Sequence, residues 1–383
     1  MGKNSTARGK ALYVASIGIH FSGFHGPYLQ LLQDEFGYET YTASNGASDL
    51  SCVDGHFEVP FSREPLTRTN LTAYRHLKKI ISENQFDLIH CHTPAAGVLT
   101  RIAARKVRKK GTKVVYTAHG FHFFKGNKPL ANFIFKNIEK VLSRYADVII
   151  TINSEDYQAL EKFKFKQKKK YFTSGVGVDP QVFYPAKPGE KEVLRKEYNI
   201  PENAFVLLYP AGYSASKVHK VLIRAVASIK EQCPNLYLLL PGGGEMENEL
   251  QTLISELKME QITDLMGRRE DMGKISRASD IIASSSIREG LPTHTIEGMC
   301  TGLPVIAAKI RGQVDLIEDG VNGFLVPSND EHALAEKIKI LYHSPELVRK
   351  MGEKSLEKVK KYYIRNTVEE MRSIYTDILG VKN

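Results

Sequence analysis

No apolar run in the 383 residues approaches the ~20 needed to span a bilayer, which excludes a membrane-crossing helix. No signal-peptide core precedes the first strand pattern, Ala11–Ile17, so a cytoplasmic protein is expected. Met1-Gly-Lys-Asn-Ser-Thr6 fits an acylation pattern only loosely and carries little weight. The four cysteines (Cys52, Cys91, Cys233, Cys300) include no CxxC pair, which argues against a disulfide framework and suits a reducing compartment. The run after the first strand, Ser22-Gly-Phe-His-Gly-Pro27, is not a GxGxxG with a ribose-binding acid downstream, and this disfavours a dehydrogenase. His90-Cys-His92, with His119 and His122, has no carboxylate or cysteine partner at a familiar zinc spacing, so no metal is expected.

Acidic residues are also missing where basic ones collect. Lys and Arg outnumber Asp and Glu 27 to 16 in residues 1–190, but stand 26 to 27 in residues 191–383. The window 91–130 holds nine basic residues and no acid. Basic runs fill Arg101 to Lys113 and Lys162 to Lys170, the second with Phe163 and Phe165 interleaved. Such charge draws a protein to an anionic membrane surface at ~1 kcal/mol per basic residue near the lipid, and the two rings suit its interface. No nucleic-acid motif accompanies the charge, so no nucleic acid is expected.

The length suggests two domains. Strand and helix patterns alternate through both halves, which argues for an α/β protein with parallel sheets. In the first half, strands are read at Ala11–Ile17, Glu39–Ala43, Phe86–His90, Lys113–Thr117, Val148–Ile152 and Phe172–Gly177. Pro180, Pro185, Pro188 and Gly189 read as a linker. A second series starts at Phe205–Pro210 and continues through Leu236–Pro241, Ile262–Met266, Asp280–Ser284 and Pro304–Ala307. The domains are therefore read as 1–186 and 190–363, with a ligand cleft at the strand C-terminal ends.

The most informative segment is Arg288-Glu-Gly-Leu-Pro-Thr-His-Thr-Ile-Glu297. It follows an apolar strand and enters a short helix, Thr293–Thr301, closed by Gly302. Glu289 sits on the loop and Glu297 about one turn into the helix, so both carboxylates lean toward the free amides of the helix start. Those amides favour an anion. Carboxylates beside an anion site suit a ligand with hydroxyl-rich groups flanking a diphosphate, such as a nucleotide sugar. Gly290 permits close approach to the backbone, and Pro292 suits the first helical position. Two strand-to-helix loops carry further candidates: Pro210-Ala-Gly-Tyr-Ser-Ala-Ser-Lys-Val-His-Lys220 and Pro241-Gly-Gly-Gly-Glu245. The cations of the first suit the charge that grows on a leaving diphosphate.

The run 281–327 resembles the donor-binding signature of retaining glycosyltransferases of the GT-B fold, family four (glycosyltransferase group 1). It reads Ile-Ile-Ala-Ser-Ser-Ser-Ile-Arg-Glu-Gly-Leu-Pro292, then Glu297-Gly-Met-Cys-Thr-Gly-Leu-Pro-Val-Ile306, then Glu318-Asp-Gly-Val-Asn-Gly-Phe-Leu-Val-Pro327. His90 to Arg101, Tyr116 to Gly126 and Gly175-Val-Gly-Val-Asp179 resemble its capsular and extracellular polysaccharide branch. The resemblance covers nearly the whole chain. It implies two Rossmann-like domains facing across a cleft, with a C-terminal helix of about 364–383 returning to the acceptor-binding N-terminal domain. It implies that Glu289 contacts the donor sugar and Glu297 the ribose. Gly290, Leu291, Pro292 and Thr293 would hold phosphate or sugar oxygens, Lys217 the diphosphate, and Arg268 would lie where the base is held. The glycine run with Gly243 either approaches the nucleotide or simply turns the chain. His119 would touch the sugar at the reaction centre. His25 and Gly26 stand where the acceptor is met.

Several positions depart from the family pattern. Gly212 stands where an arginine is usual, with Lys220 or Arg288 as substitutes. Ser216 and Val218 replace Arg and Asn, and Gly298 replaces Ala at ~1 kcal/mol of helix propensity. The resulting expectation is a retaining transferase moving sugar from a nucleoside diphosphate, most simply UDP, to a lipid-linked saccharide at the inner face of the plasma membrane. With no Asp-x-Asp after a strand, it would need no metal and no other cofactor. A nucleotide-sugar epimerase of the same fold and a degenerate scaffold are the alternatives.

Overall fold

The computed structural model describes residues 8–47, 51–62, 64 and 67–380. The acylation-like segment and the last three residues of the expected C-terminal helix lie outside that range. No helix among the described residues is long and apolar enough to cross a membrane. The chain forms two compact units, 1–177 with 365–383, and 178–364.

The first unit holds a seven-stranded sheet: β1 (Gly9–Ile17), β2 (Tyr38–Asn45), β3 (Gly55–Glu58), β4 (Leu88–Cys91), β5 (Lys113–Ala118), β6 (Val148–Thr151) and β7 (Lys169–Phe172). All pairings are parallel, in the order β3-β2-β1-β4-β5-β6-β7. A parallel sheet needs helices on both faces. Accordingly Leu12 and Val14 of β1 enter one apolar cluster, while Ala11, Tyr13 and Ala15 enter another. The helix Ile364–Leu379 completes the second cluster with Met371, Ile374, Tyr375 and Ile378.

The second unit repeats the scheme with β8 (Phe205–Leu208), β9 (Leu236–Pro241), β10 (Thr263–Gly267), β11 (Ile281–Ser284), β12 (Val305–Ala308) and β13 (Gly323–Val326). Its order is β10-β9-β8-β11-β12-β13, again all parallel. In both sheets the order reverses beside the first strand, between β1 and β4 and between β8 and β11. The loops leaving those strands diverge to opposite faces and open a crevice, the usual ligand position in such sheets.

Three readings need correction. Residues 178–186 belong to the second unit, because Val178 exchanges backbone hydrogen bonds with Tyr362 and Ile364, both 2.9 Å. Arg277 Nη1 also donates to the Val182 carbonyl at 3.0 Å, so the proline-rich linker is strapped down. The segment past it forms a helix, Glu190–Glu197. The last strand of the first sheet is Lys169–Phe172 rather than Phe172–Gly177. Pro292 is the extended N-cap of the helix Thr293–Cys300, not its first residue.

Gly298 gains a structural account. A Cβ there would overlap Ile282 Cγ1 of β11, so the helix packs directly on the strand. Gly298→Ala should therefore lower stability by roughly 1–3 kcal/mol despite its better helix propensity. Urea unfolding measures this, and a stabilised variant would contradict it.

Candidate functional site

The second unit's crevice is built from the loops after β8 and β11. Tyr209 Oη donates to the Lys217 carbonyl at 2.8 Å and shares a hydrogen bond with Ser286 Oγ at 2.7 Å. Ser285 Oγ donates to the Val218 carbonyl at 2.9 Å, and the Ile287 amide to the Ser216 carbonyl at 3.0 Å. The two loops are thus tied together, and Val218 is held at φ 49°, ψ 43°. That left-handed backbone is costly for a β-branched residue, whereas the asparagine of the family pattern tolerates it.

The tie brings Lys217 Nζ to Glu289 Oε1 at 2.5 Å. Burial pushes the Glu289 carboxyl up. The charges of Lys217 and His294, with hydrogen bonds from Lys217 and Ser286, outweigh it and leave the group below its ordinary value. Gly290 lies against the loop after β12, where a Cβ on Gly312 would strike the Gly290 carbonyl. Arg311 Nε donates to the Glu289 carbonyl at 3.0 Å. Leu291, half-buried, packs against the core, and Pro292 is buried. Thr293 opens a helix with no side-chain cap, so its first amides are left for a ligand.

Glu297 differs from Glu289. Its carboxylate makes no hydrogen bond or ion pair among the described residues, and burial alone raises its pKa from the ordinary 4.5 to about 7. A desolvated carboxylate without a partner is an acceptor waiting for donors. The sequence had marked both acids but not this contrast between them.

The glycine run after β9 has a packing role. Gly242 donates to the Gly267 carbonyl at 2.8 Å, and Tyr213 to the Gly243 carbonyl at 3.1 Å. A Cβ on Gly242 or Gly244 would meet the backbone of Ala211 or Tyr213. Arg268 is exposed, with its Cγ beside Gly243. A Cβ on Gly212 would meet only the Gly243 carbonyl at 3.6 Å, so the space for a longer side chain exists. Of the two proposed substitutes for the missing arginine, Lys220 pairs with Glu249, whereas Arg288 is exposed and makes no ion pair among the described residues.

The first unit's crevice gathers histidines. His20 and His25 come from the segment after β1, His92 from the end of β4 and His119 from the loop after β5. His25 stacks on His92 with ring centroids 3.9 Å apart, and His92 Nδ1 lies 3.3 Å from His119 Nε2. Desolvation and neighbouring imidazoles push His25, His92 and His119 well below the ordinary value. His90, on the same face as His92, is a satisfied core residue bonded to Tyr375 Oη and Thr117 Oγ1 at 2.8 and 2.7 Å. His122 lies outside the cluster, edge-on to Phe135. His25, read as an acceptor contact, is only 2% exposed, while Gly26 at the start of the next helix is half-buried.

Two family models match the chain: Glycosyl transferases group 1 over residues 190–358 and Glycosyltransferase Family 4 over residues 33–182. EpsD of Bacillus subtilis (strain 168), a protein named as a glycosyltransferase, is 41% identical over 368 residues, 96% of each chain. The chain is a group 1, family four glycosyltransferase. An Escherichia coli relative named UDP-Gal:alpha-D-GlcNAc-diphosphoundecaprenol alpha-1,3-galactosyltransferase is 26% identical over 79% of this enzyme and 78% of its own length. Sucrose-phosphate synthase from Thermosynechococcus elongatus shares the fold with a TM-score of 0.81 at 19% identity, covering 98% and 100% of the two chains. Anabaena HepE in complex with UDP and glucose does so with 0.77 at 20%, covering 97% and 100%.

Sequence reasoning missed Arg311 and Gly312. The only signal was their place just past an apolar strand, at the sheet edge where ligands sit. His20 was missed because it lies just outside the Ser22–Pro27 run that drew attention to His25.

Proposed function

We propose that this enzyme transfers a sugar from a UDP-sugar to a lipid-linked saccharide with retention of anomeric configuration, in surface polysaccharide synthesis. The observation that carries the reading is Glu297, a half-buried carboxylate with no partner among the described residues, beside an uncapped helix start. Ribose hydroxyls would supply its donors, while the amides of Gly290 to Thr293 and the Lys217 ammonium receive the diphosphate. Glu289 orients the sugar, and Arg268 and Gly243 lie toward the base. As the glycosidic bond breaks, Lys217 and the helix amides stabilise the charge gained by the diphosphate. The acceptor hydroxyl attacks from the same face and passes its proton to the departing diphosphate oxygen, so neither a carboxylate base nor a metal is needed. His119 contacts the sugar in this scheme. The names of the E. coli relative and of the HepE complex support UDP and a diphospholipid acceptor. A thermal-shift screen across nucleotide sugars, followed by NMR of the product anomer, tests it. No shift from any UDP-sugar, or an inverted product, would contradict it.

The enzyme works at an anionic membrane surface in this reading, but through a different face from the one the sequence suggested. Phe165 is buried against Phe121 and Phe123, and Phe163 lies half-buried under Lys136. The helix Pro129–Leu142 instead exposes Leu130, Phe133, Ile134, Ile138 and Val141 at helical spacing, with Leu130 70% and Phe133 62% exposed. Lys125, Lys128 and Arg144 stand exposed around it. Apolar face and basic rim together match an anionic bilayer interface. Replacing Phe133 and Ile134 by Asp should cut co-sedimentation with phosphatidylglycerol vesicles by tenfold or more, at roughly 1.5 kcal/mol per ring or branched chain withdrawn. Unchanged sedimentation would refute this face.

A further inference from the structure

The histidines of the first crevice leave several ring nitrogens without partners. Both nitrogens of His25, and Nε2 of His20 and of His92, are buried and unbonded among the described residues. Buried polar atoms in native proteins are normally satisfied, so four in one place ask for a ligand. A cavity of about 20 Å³, room for one water, lies beside them, lined by His25, His92 and His119 but not by His20.

We propose that His20, His25 and His119 bind one divalent transition metal, with zinc the best match. Each offers a ring nitrogen, and the three lie within 4.8 Å of one another, close enough for ring rotation to bring them onto a single ion. The donor set is all imidazole, which selects zinc and its neighbours over magnesium or calcium. Burial already holds the rings neutral at physiological pH: His20 is lowered to about 4, and His25 and His119 well below their ordinary value. The ion thus has no proton to displace. His92, bonded to His119, holds that ring from outside the coordination shell. Three protein ligands leave a fourth position for water. The ion would pin the segment after β1 to the loop after β5. Resting on the sugar contact proposed above for His119, it would also withdraw that ring from the donor and inhibit transfer.

Untagged enzyme, stripped with a chelator, is titrated with zinc by calorimetry and with cobalt by visible absorption. One equivalent is expected, with a cobalt spectrum of low coordination number. His20→Ala, at a half-buried position, should weaken zinc binding at least tenfold, and His25→Gln likewise. His332→Ala, at an exposed position in the second unit, should leave it unchanged. Absence of saturable binding, or equal affinity in the His20 and His25 variants, overturns the site. Zinc that binds through these residues without slowing transfer leaves the site standing and refutes the role of His119.

Discussion

Lys217→Met should lower transfer by 100-fold or more and destabilise the second unit together. The first effect follows from losing a cation poised for the leaving diphosphate, a contribution of the size seen when one transition-state donor is removed. The second follows from leaving Glu289 buried beside the tied loops without its partner, a cost of roughly 3–5 kcal/mol. In the parent the pair holds the Glu289 pKa down. Its contribution is therefore present above the ordinary carboxyl value and is lost as pH falls through the lowered one. In the variant the carboxyl takes up a proton more readily, so the deficit is largest at neutral pH and shrinks toward acid. The double variant Lys217→Met/Glu289→Gln should regain much of the stability and none of the activity. Denaturant curves at neutral and acid pH, with transfer assays on both variants, separate the roles. A single variant as stable as the parent at neutral pH would show that the pair does not hold the loops.

Glu297→Gln should have the opposite pairing of effects, weaker donor binding and a more stable protein. Ribose hydroxyls bonded to a charged acceptor contribute about 1.5 kcal/mol or more each, so losing two such bonds should cost affinity about 100-fold. The raised pKa means the folded parent resists ionising this group. Stability associated with the neutral form is complete below the ordinary 4.5 and is lost as pH rises to about 7. Glutamine removes that loss, so the gain in stability over the parent should grow across this window and level off above it. At 1.4 kcal/mol per unit the ceiling is about 3 kcal/mol. Donor affinity in the parent should itself fall below about pH 7, because protonation removes the acceptor. Calorimetry with a UDP-sugar and thermal melts across pH measure both. Unchanged donor affinity in the variant would refute the ribose role.

The chain order of strands was legible because parallel strands are buried on both faces and read as short apolar runs. Val206–Leu208 and Ile281–Ala283 show this plainly. β3 was not legible: Gly-His-Phe-Glu is an edge strand, half-buried, with no apolar run. The helix Glu190–Glu197 was hidden by the prolines before it. In the site, Glu289, Glu297 and Lys217 could be picked out because their chemistry sits inside a recognisable loop. The contrast between Glu289, paired with Lys217, and Glu297, which has no such partner among the described residues, could not, because it depends on who is buried beside whom. The histidine cluster was legible only in part, since His92 and His119 stood out together but His20 and His25 could not be joined to them. Its rings come from three segments that only the reversal of strand order between β1 and β4 brings together.

The helix Ile364–Leu379 bears on how the protein is made. Tyr375 bonds Tyr13 and His90, and Met371 and Ile374 fill the same cluster as Ala11 and Leu88. The ribosome therefore delivers the residues that seal the first sheet only after the whole second unit has emerged. During synthesis the older half waits with one apolar face only partly covered, by the helix Gly26–Asp34, and its maturation is timed by translation of the younger half. A nascent chain halted before residue 364 should bind chaperones and be cut by proteases within residues 8–47, whereas the released full-length chain should resist.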